Sequence, residues 1–328
     1  MLEFINWLRL IATVLITNSH YATVWPTPAL ATGGLLGNII FFAVSGFCLF
    51  GTKQGFWSWY KKRFFRIWPV MMAFTLVAAL AGIDGYKIGN VDDAIRLLVF
   101  PTNYVFVVWI LVLYVPFWFV NKLTERYAKA PLVALMLTAV LHLAVYLVFV
   151  DKGAYVIDDV SSPFILFLYF AAMMLGAVLK GRGNPVKCKA VLHVLGALGA
   201  LVLYFGSKIA IGKWDELLAL QIVNQYTIYL ALFMAFTLMM RAEKRLENLP
   251  SRVKSVAGLV AKLTLQVYIV QFVIISQFEH LAFPLNFVVI TVLILAAAAL
   301  LMLAERGIRT LSAKSAKASG GFDGKKKD

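Results

Sequence analysis

Long apolar runs separated by short polar stretches organise this chain. Ten runs come close to the ~20 residues that a helix needs to cross a bilayer. They lie at roughly 6–25, 34–52, 66–83, 102–121, 131–150, 163–180, 189–209, 217–240, 256–278 and 284–304. Residues 92–100 predict a short partial helix before the fourth span. No internal repeat is visible. From Arg306 onward the chain turns polar, with Gly320, Gly321 and the run Lys325-Lys326-Lys327, a composition expected to be disordered. The pattern predicts an all-α fold, a polytopic transmembrane helix bundle of about ten spans. Residues 1–305 form the transmembrane domain and 306–328 a basic tail.

Composition supports this reading. Of 328 residues, 62% are apolar and 14% charged, against about half and about a quarter in a soluble domain. The mean hydropathy is +0.83. A single soluble core cannot hide that much apolar surface at this length. Disorder, collagen and coiled coil are excluded by the same composition.

The net charge of +15 would suggest nucleic acid in a soluble protein. Sorted by loop, it reads as topology instead. With the N-terminus cytoplasmic, the inside loops and tail hold 24 of the 31 Lys and Arg, and the outside loops hold five with nine acids. The positive-inside bias therefore predicts both termini in the cytoplasm, membrane lipid as the contact surface and no nucleic acid partner. Cys48 and Cys188 give no disulfide framework, and four histidines without i,i+4 spacing argue against a metal site. Ala29-Leu30-Ala31 mimics a signal-peptidase site, but the preceding run is broken by Thr17, Asn18, Ser19 and His20, so cleavage is not expected.

Chemistry concentrates at two places. The first span carries Arg9 and His20, and ionisable groups inside a span are functional candidates by default. Their separation brings them to within about 20° on a helical wheel and ~16 Å apart along the axis. Asn6, Thr13 and Thr17 lie near the same line. His20 suits a general base or proton relay, and equally an interior His satisfied by a neighbouring helix. The second place is the loop Trp57-Ser58-Trp59-Tyr60-Lys61-Lys62-Arg63-Phe64-Phe65-Arg66 before the third span. Arg63 and Arg66, at i and i+3, suit bidentate phosphate contact. The same composition also suits an aromatic and basic anchor at lipid headgroups.

Taken together these segments resemble a known family. Arg9, ten residues, then His20 resembles the R-x10-H motif of acyltransferase family 3, multi-span membrane O-acyltransferases that modify cell-surface glycans. Phe41-Phe42-Ala43-Val44-Ser45-Gly46-Phe47 is similar to its F-F-x-x-S-G-F segment, and Arg63-Phe64-Phe65-Arg66 to its R-x-x-R element. Softer matches follow at Trp109-Ile110-Leu111 with Tyr114 and Pro116, at Leu175-Gly176 and at Leu265-Gln266-Val267-Tyr268-Ile269-Val270. Two positions depart from the pattern: Asn6 stands where members often carry Asp, and Gln271 where they often carry His.

The resemblance implies transfer of an acyl group, acetyl first, from acyl-CoA as donor substrate to a hydroxyl of a surface or envelope glycan or its lipid-linked precursor. No bound cofactor and no metal are implied. It implies His20 as catalytic base or acyl carrier, Arg63 and Arg66 on the CoA phosphates, and Arg9 near the pantetheine or thioester. Ser45, Trp109, Tyr114 and Tyr268 are candidate substrate contacts. Ser45 could be a nucleophile, but S-G-F reads better as close helix packing through small residues. The location implied is the inner (cytoplasmic) membrane, and the oligomeric state stays open. The competing class is a secondary transporter of an envelope precursor, which the lack of an inverted repeat disfavours.

Overall fold

The computed structural model describes residues 2–159, 162–183 and 189–320, with side chains as far as Gly307. Lys187, Cys188 and the tail from Gly321 lie outside the described residues. Among the described residues, all regular structure is helical. Ten long helices follow in order: α1 Glu3–Ser19, α2 Gly34–Leu49, α3 Phe56–Leu80, α4 Val105–Leu123, α5 Ala130–Phe149, α6 Ile165–Arg182, α7 Ala190–Lys213, α8 Gln221–Glu247, α9 Ser251–Phe278 and α10 Leu285–Gly320. Nine, α2 to α10, are long and apolar enough to cross a membrane. The partial helix expected near 92–100 is present as Val91–Ala94 continuing into a π-helical turn, Ile95–Val99.

Three segments differ from the sequence reading. The first helix is shorter than its apolar run. It has 17 residues and ends at Ser19, because the polar groups that follow bond a loop instead. Asn18 donates to the carbonyls of Leu30 (2.8 Å) and Thr32 (3.0 Å) and accepts from Trp25 Nε1 (2.9 Å). Second, α3 starts at Phe56, so Arg63 and Arg66 sit on a helix rather than in a loop. Third, α10 runs on to Gly320, well past the Arg306 boundary expected for the tail.

The bundle has a buried centre and a lipid-like exterior. Eleven of the 16 residues of α2 are buried, and 11 of the 18 of α6. In α5 only five of 20 are buried, and Val133, Val140, Val148 and Phe149 are exposed. Exposed apolar side chains on outer helices are what a bilayer solvates.

The central pair is held at backbone contact. A Cβ on Gly46 of α2 would overlap the Met173 carbonyl of α6, and one on Gly176 of α6 would overlap the Ala43 carbonyl of α2. On its other side α2 also meets α1 closely: a Cβ on Gly37 would fall 2.8 Å from Ile16 Cγ1 and 2.9 Å from the Ala12 carbonyl. Dispersion and backbone approach, not the hydrophobic effect, drive such packing in lipid.

Hydroxyls and one carboxylate then fix α1. Thr13 bonds Thr264 (3.0 Å) and Thr17 donates to Gln271 Oε1 (2.9 Å), joining α1 to α9. Glu243 of α8 accepts from the backbone amides of Glu3 (2.9 Å) and Phe4 (2.7 Å). It satisfies two orphan donors and puts negative charge at the positive end of the α1 dipole.

Substitution tests the α2–α6 seam. Gly176→Ala should lower stability by at least about 1–3 kcal/mol, since backbone must move to admit the methyl. Gly199→Ala, on α7 with nothing within 4 Å of its Cβ position, should be neutral or stabilising. Thermal unfolding in detergent checks both; equal melting temperatures would refute the seam.

Candidate active site

Two cavities share a wall inside the bundle. The first, about 230 Å³, is lined by α1 from Arg9 to Thr17, α2 from Phe41 to Leu49, α3 from Lys62 to Ile67, α4 from Phe106 to Tyr114 and α9 from Ala261 to Gln271. The second, about 620 Å³, is lined by the C-terminal ends of α1, α7 and α9, the start of α2, and the segments around Tyr86 and Thr102–Phe106. Ile16, Phe106 and Tyr268 line both and form the partition.

The first cavity is lined by cations. Arg9, Lys62, Arg63, Arg66 and Lys262 line it, and no Asp or Glu does. The phase of α3 is set by Trp59, which is fully buried and meets Tyr114 edge-on at 5.6 Å. One turn further, the Arg63 guanidinium lies 4.2 Å from the Trp59 ring and donates from Nη1 to the Trp59 carbonyl (2.8 Å). This cation–π contact holds a charge that would otherwise wander. Tyr114, Ser45, Cys48 and Arg9 line the cavity with Arg63 and Arg66. Five cations with no lining carboxylate suit a ligand with several negative charges, above all phosphates.

The second cavity is polar but electrically compensated. His20 caps the C-terminus of α1, with its backbone N–H on the Thr17 carbonyl (3.1 Å). Its ring meets Phe272 edge-on, with centroids 4.5 Å apart, and lines the cavity. Lys208, from α7, pairs with Asp158 at 2.8 Å, with side-chain exposures of 17% and 42%. Asp84 pairs with Lys87 at 2.6 Å. The Lys87 ammonium bonded to Asp84 holds that carboxyl below the usual carboxylate range. Asn38, buried beneath, donates to Tyr169 (3.1 Å). A row of rings connects the cavities: Phe41, Phe106, Tyr268 and Phe272, with successive centroids 5.3, 5.4 and 5.9 Å apart.

The acyltransferase domain profile matches residues 2–305. The chain belongs to acyltransferase family 3. No curated protein and no solved structure matches it. The enzyme is an acyltransferase built as an integral membrane helix bundle, and its motif residues divide between the two cavities. Arg9, Ser45, Arg63, Arg66 and Tyr114 are in the first, His20 is in the second, and Tyr268 stands between. Trp109 lines neither and packs against the core. Gly46 belongs to the helix seam, so the S-G-F segment serves packing with its glycine and the cavity with its serine.

The other histidines stay away from the cavities. His142 is buried among the rings of Phe164, Phe167 and Tyr226. His193 is buried against Thr237 (2.9 Å).

Sequence reasoning missed Lys62, Lys262, Cys48, Lys208, Asp158 and Gln271 as cavity residues. Lys208 had a usable signal, since it is a cation at the end of an apolar span, but it was counted as topology. The Lys208–Asp158 pair joins α7 to the loop before α6, and a double-mutant cycle of Lys208→Met and Asp158→Asn should show coupling of about 0.5–3 kcal/mol. Strictly additive melting shifts would mean that the pair contributes nothing.

Proposed function

We propose that this acyltransferase moves an acyl group, acetyl in the simplest case, from acyl-CoA to a hydroxyl of a surface or envelope glycan or its lipid-linked precursor. It would work in the inner membrane with both termini cytoplasmic, so that the first cavity faces the cytoplasm. The observation that carries the reading is the pairing of an all-cation cavity with a compensated polar cavity that holds a histidine. CoA is a phosphate-rich anion made in the cytoplasm, and a sugar hydroxyl is neutral.

In this reading Arg63 and Arg66 hold the phosphates, with Arg9 further along the pantetheine path. The thioester reaches the partition at Ile16, Phe106 and Tyr268. His20 accepts the proton of the sugar hydroxyl while its oxygen attacks the thioester carbon. The tetrahedral intermediate collapses, the C–S bond breaks, and the CoA thiolate takes the proton back from the imidazolium. An acyl-His intermediate would use the same geometry in two steps. Lys208, Asp158 and Asn38 are placed to contact the acceptor.

Two measurements test this. His20→Ala should lower acyl transfer by about 10²–10⁴-fold while the protein still inserts; activity near that of the wild type would remove the catalytic assignment. Arg63→Ala with Arg66→Ala should raise the KM for acyl-CoA at least tenfold. Each charge-assisted hydrogen bond contributes about 1.5–3 kcal/mol and each 1.4 kcal/mol is tenfold. An unchanged donor KM would refute their role. Release of CoA by purified protein also separates an acyltransferase from a carrier, which would cleave no thioester.

A further inference from the structure

One buried side chain at the first cavity is hydrogen-bonded at one end only. Gln271 of α9 is completely buried and lines the first cavity. Its carbonyl end is held: Oε1 accepts from Thr17 (2.9 Å). Its amide end is not: Nε2 is buried without a hydrogen-bond partner. A side chain fixed at one end presents the other in one direction. A buried donor left unmade is costly, and such a group calls for a partner that arrives with a ligand.

The position says which partner. Thr17, which holds Gln271, also gives its carbonyl to the backbone N–H of His20. The neighbour of Gln271, Phe272, lies against the His20 ring. Tyr268, one turn back on α9, is part of the partition between the cavities. Gln271 therefore stands next in sequence to the ring that packs on the histidine and one turn along α9 from a residue of the partition.

We propose that the Gln271 side-chain amide is an oxyanion donor, hydrogen-bonding through Nε2 to the thioester carbonyl oxygen as that oxygen becomes negative. The inference rests on the acyl-CoA reaction proposed above and names a further catalytic residue for it. When the acceptor oxygen bonds to the carbonyl carbon, the C=O electron pair moves onto oxygen, and Nε2–H meets the new charge. When the C–S bond breaks, that pair returns to the carbonyl and the hydrogen bond weakens. A preorganised neutral donor stabilises this charge with little reorganisation. It does not titrate, and it does not compete with the five cations for phosphate.

The alternative is that Gln271 only joins α9 to α1 through Thr17. Gln271→Glu separates the two roles, because a carboxylate keeps the acceptor for Thr17 and loses the donor. Gln271→Leu loses both, and Thr17→Val loosens the hold while keeping the amide. Steady-state kinetics would use acetyl-CoA and glycan extracted from the host envelope, with purified protein in nanodiscs and thermal unfolding measured in parallel. The expected result is a kcat about a hundredfold lower in Gln271→Glu and Gln271→Leu, with the KM for acetyl-CoA within threefold of wild type. Thr17→Val should show a smaller loss in kcat. A Gln271→Glu enzyme whose kcat is within threefold of wild type overturns the assignment and leaves the acyl-CoA reading intact. Wild-type protein that releases no CoA overturns that reading and this inference together.

Discussion

The backbone contact of α2 with α6, at Gly46 against Met173 and at Gly176 against Ala43, sets the dimensions of everything around it. At this point the backbones of α2 and α6 touch, and neither helix tolerates a side chain there. With α6 seated on one face, α2 offers Gly37 on the other, and α1 settles into it against Ile16 and the Ala12 carbonyl. Three helices are stacked at separations fixed by missing side chains. The placement of Arg9 and His20 at two levels of α1 follows from this stack, together with the Glu243 carboxylate under the first turn of α1. In a bilayer, where apolar side chains gain little by leaving lipid for protein, such close backbone fits and a few hydroxyl bonds carry the specificity of packing.

Charge is distributed unevenly on this frame. The first cavity collects like charges from α1, α3 and α9, and in the absence of ligand those cations repel one another. The second brings its charged groups in as pairs, Lys208 with Asp158 and Lys87 with Asp84. The two ends thus differ in kind: one is lined by cations and no carboxylate, and the other is balanced and offers hydrogen bonds. An anionic donor and a neutral acceptor, as proposed, fit that difference.

Much of the fold could be read from the sequence, because a span is a one-dimensional property: length and apolarity suffice for α2 to α10. The end of α1 could not, since Asn18 stops it by bonding carbonyls at Leu30 and Thr32, a tertiary contact that hydropathy does not encode. Arg9, His20, Arg63 and Arg66 were found because their spacings match local motifs. Lys62, Lys262, Lys208 and Gln271 come from elements far apart in the chain, and only the helix arrangement brings them to a cavity. Trp109 illustrates the opposite error, as the turn that carries Tyr114 to the cavity leaves Trp109 packed against the core.

The partition at Ile16, Phe106 and Tyr268 has a second consequence. Two polar vestibules facing each other across a bilayer come close to making a conducting pore. A constriction of one aliphatic and two aromatic side chains resists wetting, which is how hydrophobic gates stop ions. Each elementary charge that leaked through would dissipate about 2.3 kcal/mol per 100 mV of membrane potential. The bulk of these three residues is therefore constrained by the electrical tightness of the membrane as well as by the chemistry beside them. The pantetheine arm and its acyl group form the uncharged end of the proposed donor, and that end could enter such a gate without carrying charge through it.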